Sequence, residues 1–243
     1  MGRRARKKHV QLTLADARQE VGRGGWRRDA GRRPGGEAPG HVPREEFDAE
    51  CVLHVTWRLV DDVPSLRREA VLDVVRAACS ATKERDARVV EYNVLGNHLH
   101  LVVEAANRAA LSRGMNGLGV PLAKNINKVF RRSGELFAER YHVRVLRTPR
   151  EVYNVLRYVL LNARHHAADR GETLSTDWID PFSSGPWFDG WQGPVRRDQE
   201  WMRKLARLER PTAVARTWLL RSGWRRHGLL RIDDVPGAKP RKK

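Results

Sequence analysis

The stretch Gly96-Asn97-His98-Leu99-His100-Leu101-Val102-Val103-Glu104 constrains the fold more than any other part of the chain. Glycine and asparagine form a turn, and the residues after them alternate. In a strand, side chains at i and i+2 share a face. His98, His100, Val102 and Glu104 therefore line one face, while Leu99, Leu101 and Val103 line the other. Residues 88–95 read as a second strand, joined to the first through Gly96-Asn97 as a tight hairpin. Two neutral imidazoles one pleat apart on a rigid strand can hold one divalent cation. The competing reading is a half-buried strand that exposes two histidines.

The flanking segments define the rest of the sheet and its cover. Cys51, Leu53, Val55, Trp57 and Leu59 alternate with His54, Thr56 and Arg58, which predicts a strand over 50–60 with one core face. Pro64 is expected to open a helix whose apolar stripe is Leu66, Ala70, Val71, Val74, Ala78 and Ala81. Leu111, Met115, Leu118, Leu122, Ile126, Val129 and Phe130 mark a helical region to about Arg132, with Pro121 interrupting or restarting it and Ser133-Gly134 ending it. Phe137 to Leu146 is strand-like. Thr148-Pro149-Arg150-Glu151 is a capping box with proline at the first helical position. It starts a helix with the stripe Val152, Val155, Leu156, Val159, Leu160 and Ala163. The order β-α-β-β-α-β-α predicts an α+β fold: a ferredoxin-like (RRM-like) antiparallel sheet with helices on one face and an added helix. In that topology the first and third strands are neighbours, and His54 falls on the face of His98 and His100.

Charge narrows the partner. The 243 residues carry a formal net charge of +18, which favours a polyanion, nucleic acid first. The two cysteines, Cys51 and Cys79, are too few for a disulfide scaffold or a cysteine zinc site, and both sit in apolar stretches. No apolar run reaches the length of a membrane span, and the charged start, Met1 to Lys8, lacks the apolar segment of a signal peptide. A cytoplasmic, nucleoid-associated protein is expected. Residues 1–46, rich in Arg, Gly and Pro, suit a basic arm in which Arg27, Arg28, Arg32 and Arg33 contact DNA; a solvated tail is the alternative. Lys124, Lys128, Arg131 and Arg132 on the long helix are further phosphate-contact candidates, against the plain reading of a solvated face. Beyond Gly171, the loop from Asp180 to Trp191 is turn-rich and aromatic, and Pro211 to Gly228 holds a short helix candidate with Trp218 and Trp224. Those tryptophans either stack unpaired bases or, more simply, pack the extension onto the core.

Chemistry enters with the capped helix. Tyr158 and Asn162 are spaced i, i+4 and share a helix face. A tyrosine hydroxyl is a competent nucleophile when assisted, and an asparagine carbonyl is an acceptable ligand for a divalent ion. A metal held by His98, His100 and Asn162 would polarise a scissile phosphate for attack by Tyr158. Tyr92 and Tyr141 fall in expected strands, and Tyr153 has no ligand four residues on, so each reads as packing. His165 and His166 diverge around the helix and read as a solvated end, with phosphate contact second.

Taken together, Gly96-Asn97-His98-Leu99-His100-Leu101-Val102-Val103-Glu104, Phe137-Ala138-Glu139-Arg140-Tyr141-His142 and Arg157-Tyr158-Val159-Leu160-Leu161-Asn162-Ala163-Arg164 resemble the HUH superfamily of single-strand DNA nucleases. Within it the chain looks most like the single-tyrosine transposases, especially the REP-associated tyrosine transposases. The resemblance covers roughly residues 47–170. It implies that His98 and His100 bind Mg2+ or Mn2+, that Asn162 completes the metal site, and that Tyr158 forms a 5′-phosphotyrosine link and frees a 3′-hydroxyl. It also implies single-stranded or hairpin DNA as partner; relatives include dimers with shared sites and single-chain monomers, and both arrangements stay open. Two positions depart from the pattern. Glutamine is common in such transposases where Asn162 stands, and the proline that often follows this asparagine is Ala163 here. The expected division is a basic arm at 1–46, a catalytic domain at 47–170 and a Trp-rich basic extension at 171–243. The expected activity is metal-dependent single-strand DNA cleavage and strand transfer. The alternative is a domesticated protein that binds structured single-stranded nucleic acid without cutting it. A zinc hydrolase built on the two histidines lacks a placed third ligand and a base.

Overall fold

Alternating apolar residues on four segments build one antiparallel sheet with a hydrophobic layer on each side. The computed structural model describes residues 46–193, 195 and 200–237. Its sheet contains β1 (Cys51–Arg58), β2 (Ala87–Val94), β3 (His98–Ala105) and β4 (His142–Leu146), in the order β2-β3-β1-β4. All three pairings are antiparallel, and the fold is α+β as the element order predicts. The first and third strands are central neighbours. Their register sets Thr56 opposite His100 and Arg58 opposite His98, while Asn93 on β2 faces His100 from the other side.

One sheet face meets α1 (Glu69–Ser80) and α2 (Arg108–Val129). Leu53, Val55, Trp57, Leu99, Leu101 and Val103 from the strands close on Val71, Val75, Leu111, Met115, Leu118 and Ile126. Each such side chain, fully buried, contributes roughly 1.5–3 kcal/mol. The approach of α2 is close: a Cβ at Gly119 would lie 2.3 Å from the indole of Trp57, so only glycine fits there. The opposite face carries Val52, Val90 and Val102, covered by α3 (Pro149–Asp169) through Val152, Val155, Leu156 and Val159. Its start is the capping box read from the sequence, with Thr148 Oγ1 accepting from Glu151 N–H and Glu151 Oε2 accepting from Thr148 N–H.

Residues beyond α3 pack over that same layer. Trp191, Trp224, Leu230 and Ile232 join the α3 core, so two of the tryptophans serve packing; Trp218 is half exposed. Two short helices, α4 (Glu200–Ala206) and α5 (Trp218–Arg221), and 3-10 turns at Gly185–Trp187 and Gly223–His227 punctuate this segment. Hydrogen bonds and an ion pair fasten it. Glu104 at the far end of β3 accepts from Thr217 N–H (2.8 Å), Thr217 Oγ1–H (2.7 Å) and Arg88 Nε–H (3.0 Å). Arg157, next to Tyr158, donates through Nη2 to Asp234 at 2.8 Å and to the Val235 carbonyl at 3.1 Å.

Several boundaries differ from expectation. Helix α1 starts at Glu69 rather than after Pro64. The intervening residues form a turn in which Leu66 N–H donates to the Gly96 carbonyl at 2.9 Å, pinning Leu66 under the β2–β3 hairpin. The buried stripe of α1 is accordingly Val71, Leu72, Val75 and Cys79, and Ala70 is exposed. Pro121 does not break α2. It faces solvent while Leu118, Leu122 and Ile126 hold the turns before and after it against the sheet, so packing compensates for one lost backbone bond. The helix ends at Val129, earlier than expected, with Arg131 in the left-handed region (φ 52°) and Arg132 N–H reaching back to the Asn127 carbonyl. Of the strand expected over 137–146, only His142–Leu146 pairs as a ladder, with a single bridge between Leu59 and Phe137. Phe137 instead stacks on Trp57, ring centroids 3.8 Å apart.

Candidate active site

The face of β1 and β3 that α3 does not fully cover holds three histidines. His54 on β1 and His98 and His100 on β3 point the same way because their strands are in register, and α3 lays Tyr158 across them. The rings of His98 and His100 meet edge to face at 4.7 Å, and Tyr158 meets His100 edge-on at 5.1 Å. His54 stacks on His100 at 5.3 Å and meets the edge of Tyr158 at 5.9 Å. Asn162, one turn after Tyr158, is fully buried.

Hydrogen bonding is uneven. His98 Nδ1 donates to Asn97 Oδ1 at 2.7 Å. His100 Nδ1 lies 3.2 Å from both His54 Nε2 and Thr56 Oγ1. By contrast, His100 Nε2 and both polar atoms of Asn162 are buried with no hydrogen-bond partner among the described residues. Buried polar atoms without partners are costly, and His100 Nε2 and the Asn162 amide are among those left so by the described residues.

The histidines are kept neutral. Burial pushes His100 down to about 3, helped by His54, His98 and His166. His54 goes down to about 4, chiefly through burial and then through the charges of Arg144 and His142. His98 is lowered by burial first and then by His166 and Arg58. Neutral imidazoles offer lone pairs, and the positive neighbours make the opening attractive to an anion such as a phosphate.

The candidates named from sequence divide into two groups. His98, His100 and Tyr158 come together, and Asn162 follows Tyr158 by one helical turn. Lys124, Lys128 and Arg131 do not: they belong to α2 and its C-terminal turn, in the helix layer on the opposite side of the sheet. Arg132 is held by Asp62 (3.0 Å) and Asn127 (2.8 Å). Arg27, Arg28, Arg32 and Arg33 lie outside the described residues. The basic residues beside the histidines are instead Arg58, His142, Arg144 and His166. Sequence reasoning also missed Asn93, which is fully buried and donates through Nδ2 to the Val159 carbonyl at 2.8 Å. That bond ties β2 to α3 one residue past Tyr158. Its signal was a polar residue amid the apolar run of β2.

Among the described residues no three His, Cys, Asp or Glu side chains gather into a metal-ligating cluster.

Residues 48–161 match the family model described as Transposase IS200 like, a span that includes His98, His100 and Tyr158 and stops just short of Asn162. Over this span the chain resembles an IS200-like transposase domain. Among solved structures, the chain is similar to a REP-associated tyrosine transposase bound to a REP hairpin, at 14% identity and a TM-score of 0.43, over 59% of this chain and 81% of that one. It is also similar to a provisionally assigned transposase from Deinococcus radiodurans R1, at 13% identity and a TM-score of 0.35, over 58% of this chain and 99% of that one. No curated protein matches. Among the described residues no helix is long and apolar enough to cross a membrane.

Proposed function

We propose that this chain is an IS200-like transposase that cuts and rejoins single-stranded DNA beside a hairpin, using Tyr158 as nucleophile. The observation that carries the reading is Tyr158 lying edge-on against His100, whose buried Nε2 has no partner among the described residues, with the buried, unpartnered amide of Asn162 one helical turn on. The donor set suits Mg2+ or Mn2+: His98 and His100 supply neutral nitrogen, and Asn162 supplies a carbonyl oxygen. A bound divalent ion would draw electron density from the scissile phosphate and make phosphorus more electrophilic.

The chain's own groups account for the remaining steps. Arg58 and Arg144, which exchange their pairing with Asp61 and Glu151 for the phosphates, draw the DNA backbone to the opening. Tyr158 Oη attacks phosphorus, the bond from phosphorus to the 3′-oxygen breaks, and the phenolic proton ends on the released 3′-hydroxyl. The 5′ phosphate remains as an ester on Tyr158. One phosphate ester replaces another, so a free 3′-hydroxyl can reverse the step and seal DNA without ATP. Asn93 and the capping box hold α3 so that Tyr158 keeps its position. In the same reading residues 1–46 form a basic DNA-binding arm and residues 171–243 an extension that braces the nucleophile helix.

The test is incubation of the full chain with MnCl2 and single-stranded oligonucleotides taken from the DNA flanking its gene, hairpin-forming segments included, followed by a denaturing gel and mass spectrometry of the proteolysed adduct. An adduct on Tyr158 is expected, and Tyr158→Phe should abolish cleavage and adduct while retaining DNA affinity. An adduct on Tyr141 or Tyr153, or undiminished cleavage by Tyr158→Phe, would overturn the assignment. A native-gel shift with no cleavage of any oligonucleotide would mark a binding protein instead.

A further inference from the structure

His54 has no part in the reading above, yet it touches both of that site's central side chains. Its Nε2 lies 3.2 Å from His100 Nδ1, and its ring meets Tyr158 edge to face at 5.9 Å. Thr56, two residues on and on the same face of β1, brings its Oγ1 to the same nitrogen at 3.2 Å. Both are fixed by the β1–β3 ladder, in which Thr56 is the direct partner of His100.

A neutral imidazole carries one N–H and one lone pair, and which nitrogen has which is set by what the other is bonded to. If the proton of His100 sat on Nε2, a buried N–H would point where no acceptor exists, while Nδ1 took a bond from His54. If it sits on Nδ1, it finds two acceptors, Thr56 Oγ1 and His54 Nε2, and leaves a bare lone pair on Nε2. Native structures rarely bury an N–H without an acceptor, so the second arrangement wins. His98 follows the same logic, since Asn97 Oδ1 accepts from its Nδ1 and leaves its Nε2 bare.

We propose that His54 and Thr56 are positioning residues that lock His100 as the Nδ1–H tautomer, aiming its Nε2 lone pair into the site for a divalent cation. The inference rests on the cation-assisted reading of the site, but it makes a claim about the metal-free protein that can be checked alone. His54 in turn holds its own proton on Nδ1, because its Nε2 must accept. The pairing is a carbonyl-free version of the support that ligating histidines receive from outer-shell acceptors. It also explains why a histidine stands on β1, where a hydrophobic residue would pack against Tyr158 equally well.

Long-range 1H–15N correlation spectra of the full-length, metal-free protein, uniformly labelled with 15N, report the tautomer of each histidine directly. His100 should show a protonated Nδ1 and a pyridine-like Nε2. An Nε2–H tautomer in the wild type would overturn the proposal whatever the cleavage assay gives. Calorimetric titration with MnCl2 supplies the second readout. His54→Ala and Thr56→Val should each weaken Mn2+ binding, by about 10–100-fold together. His54→Gln, whose Oε1 can accept the same proton, should restore most of it. If His98→Ala abolishes Mn2+ binding while His54→Ala with Thr56→Val leaves it within twofold of wild type, the positioning role is wrong and the metal site survives. If the wild type binds no Mn2+ yet shows the Nδ1–H tautomer, the metal reading fails and the hydrogen-bond lock stands.

Discussion

Replacing Asn162 with leucine should make the metal-free protein more stable. Asn162 is fully buried in α3, and neither its Oδ1 nor its Nδ2 has a partner among the described residues. A buried polar group left unsatisfied costs about 1–3 kcal/mol. Leucine has similar volume, no polar atom, and a helix propensity better by about 0.5 kcal/mol. Imperfect fit of the branched side chain returns part of this, leaving a net gain of about 2 kcal/mol. For a chain of this size the melting temperature then rises by roughly 4–8 °C. The assay is thermal unfolding followed by circular dichroism, in EDTA and again in MnCl2. Wild-type protein should gain stability from Mn2+ by mass action, and Asn162→Leu should gain none. If Asn162→Leu melts below wild type in EDTA, the amide is already satisfied in the folded protein and is not held in reserve for a ligand.

Acid should destabilise the fold through the histidine cluster. His54 and His100, at about 4 and about 3, bind no proton in the folded state until well below the ordinary value of 6.5. The unfolded chain binds protons there from pH 6.5 downward, so stability is complete above 6.5 and falls as pH drops toward 4. Glu91, raised by burial to about 7 against the pull of Arg210, acts in the opposite sense, losing stability as pH rises from 4.5 to 7. The melting profile against pH should therefore flatten in His54→Gln and steepen in Glu91→Gln; superimposable profiles would contradict both. Glu104→Ala strands the buried Arg88 with only Glu50 beside it and removes the acceptor of Thr217, which should cost about 3 kcal/mol. An unchanged melting temperature and unchanged protease resistance around Thr217 would refute that anchor. Deleting residues 1–46 should flatten the dependence of DNA affinity on salt by about 0.7 in log–log slope for each phosphate the arm had neutralised. An unchanged slope makes that segment a bystander.

The sheet, its first core face and the start of α3 were legible because period-two alternation in β1 and β3 and the capping box before α3 are local signals. Each names its own face or its own start. The same locality brought His54, His98 and His100 to one face, and the i, i+4 spacing brought Tyr158 to Asn162. What stayed hidden depends on distant partners. The apolar layer on the second sheet face was not legible, because residues far along the chain complete it. Nothing near Pro64 says that Leu66 will bond to Gly96 and delay α1. Nothing near Pro121 says that Leu118 and Ile126 will hold the helix through it. The α2 basic run looked like a DNA grip because charge is readable in one dimension, whereas the layer a helix joins is not. Asn93 and Glu104 were opaque for the same reason: their value lies in Val159 and Thr217, far along the chain.

The tie between Arg157 and Asp234 bears on how a cut strand could be handed on. Helix α3 is gripped by the sheet on one side, through Asn93 and its apolar stripe. On the other it is gripped by the residues after it, through Trp191, Trp224 and that ion pair. A helix clamped on two sides works as a fixed anvil and not as an arm. Tyr158, His98 and His100 meet within one chain. In the proposed reaction, bringing a new 3′ end to the tyrosine then falls to the flexible DNA, whose hairpin and single-stranded tag must fold back over a stationary site.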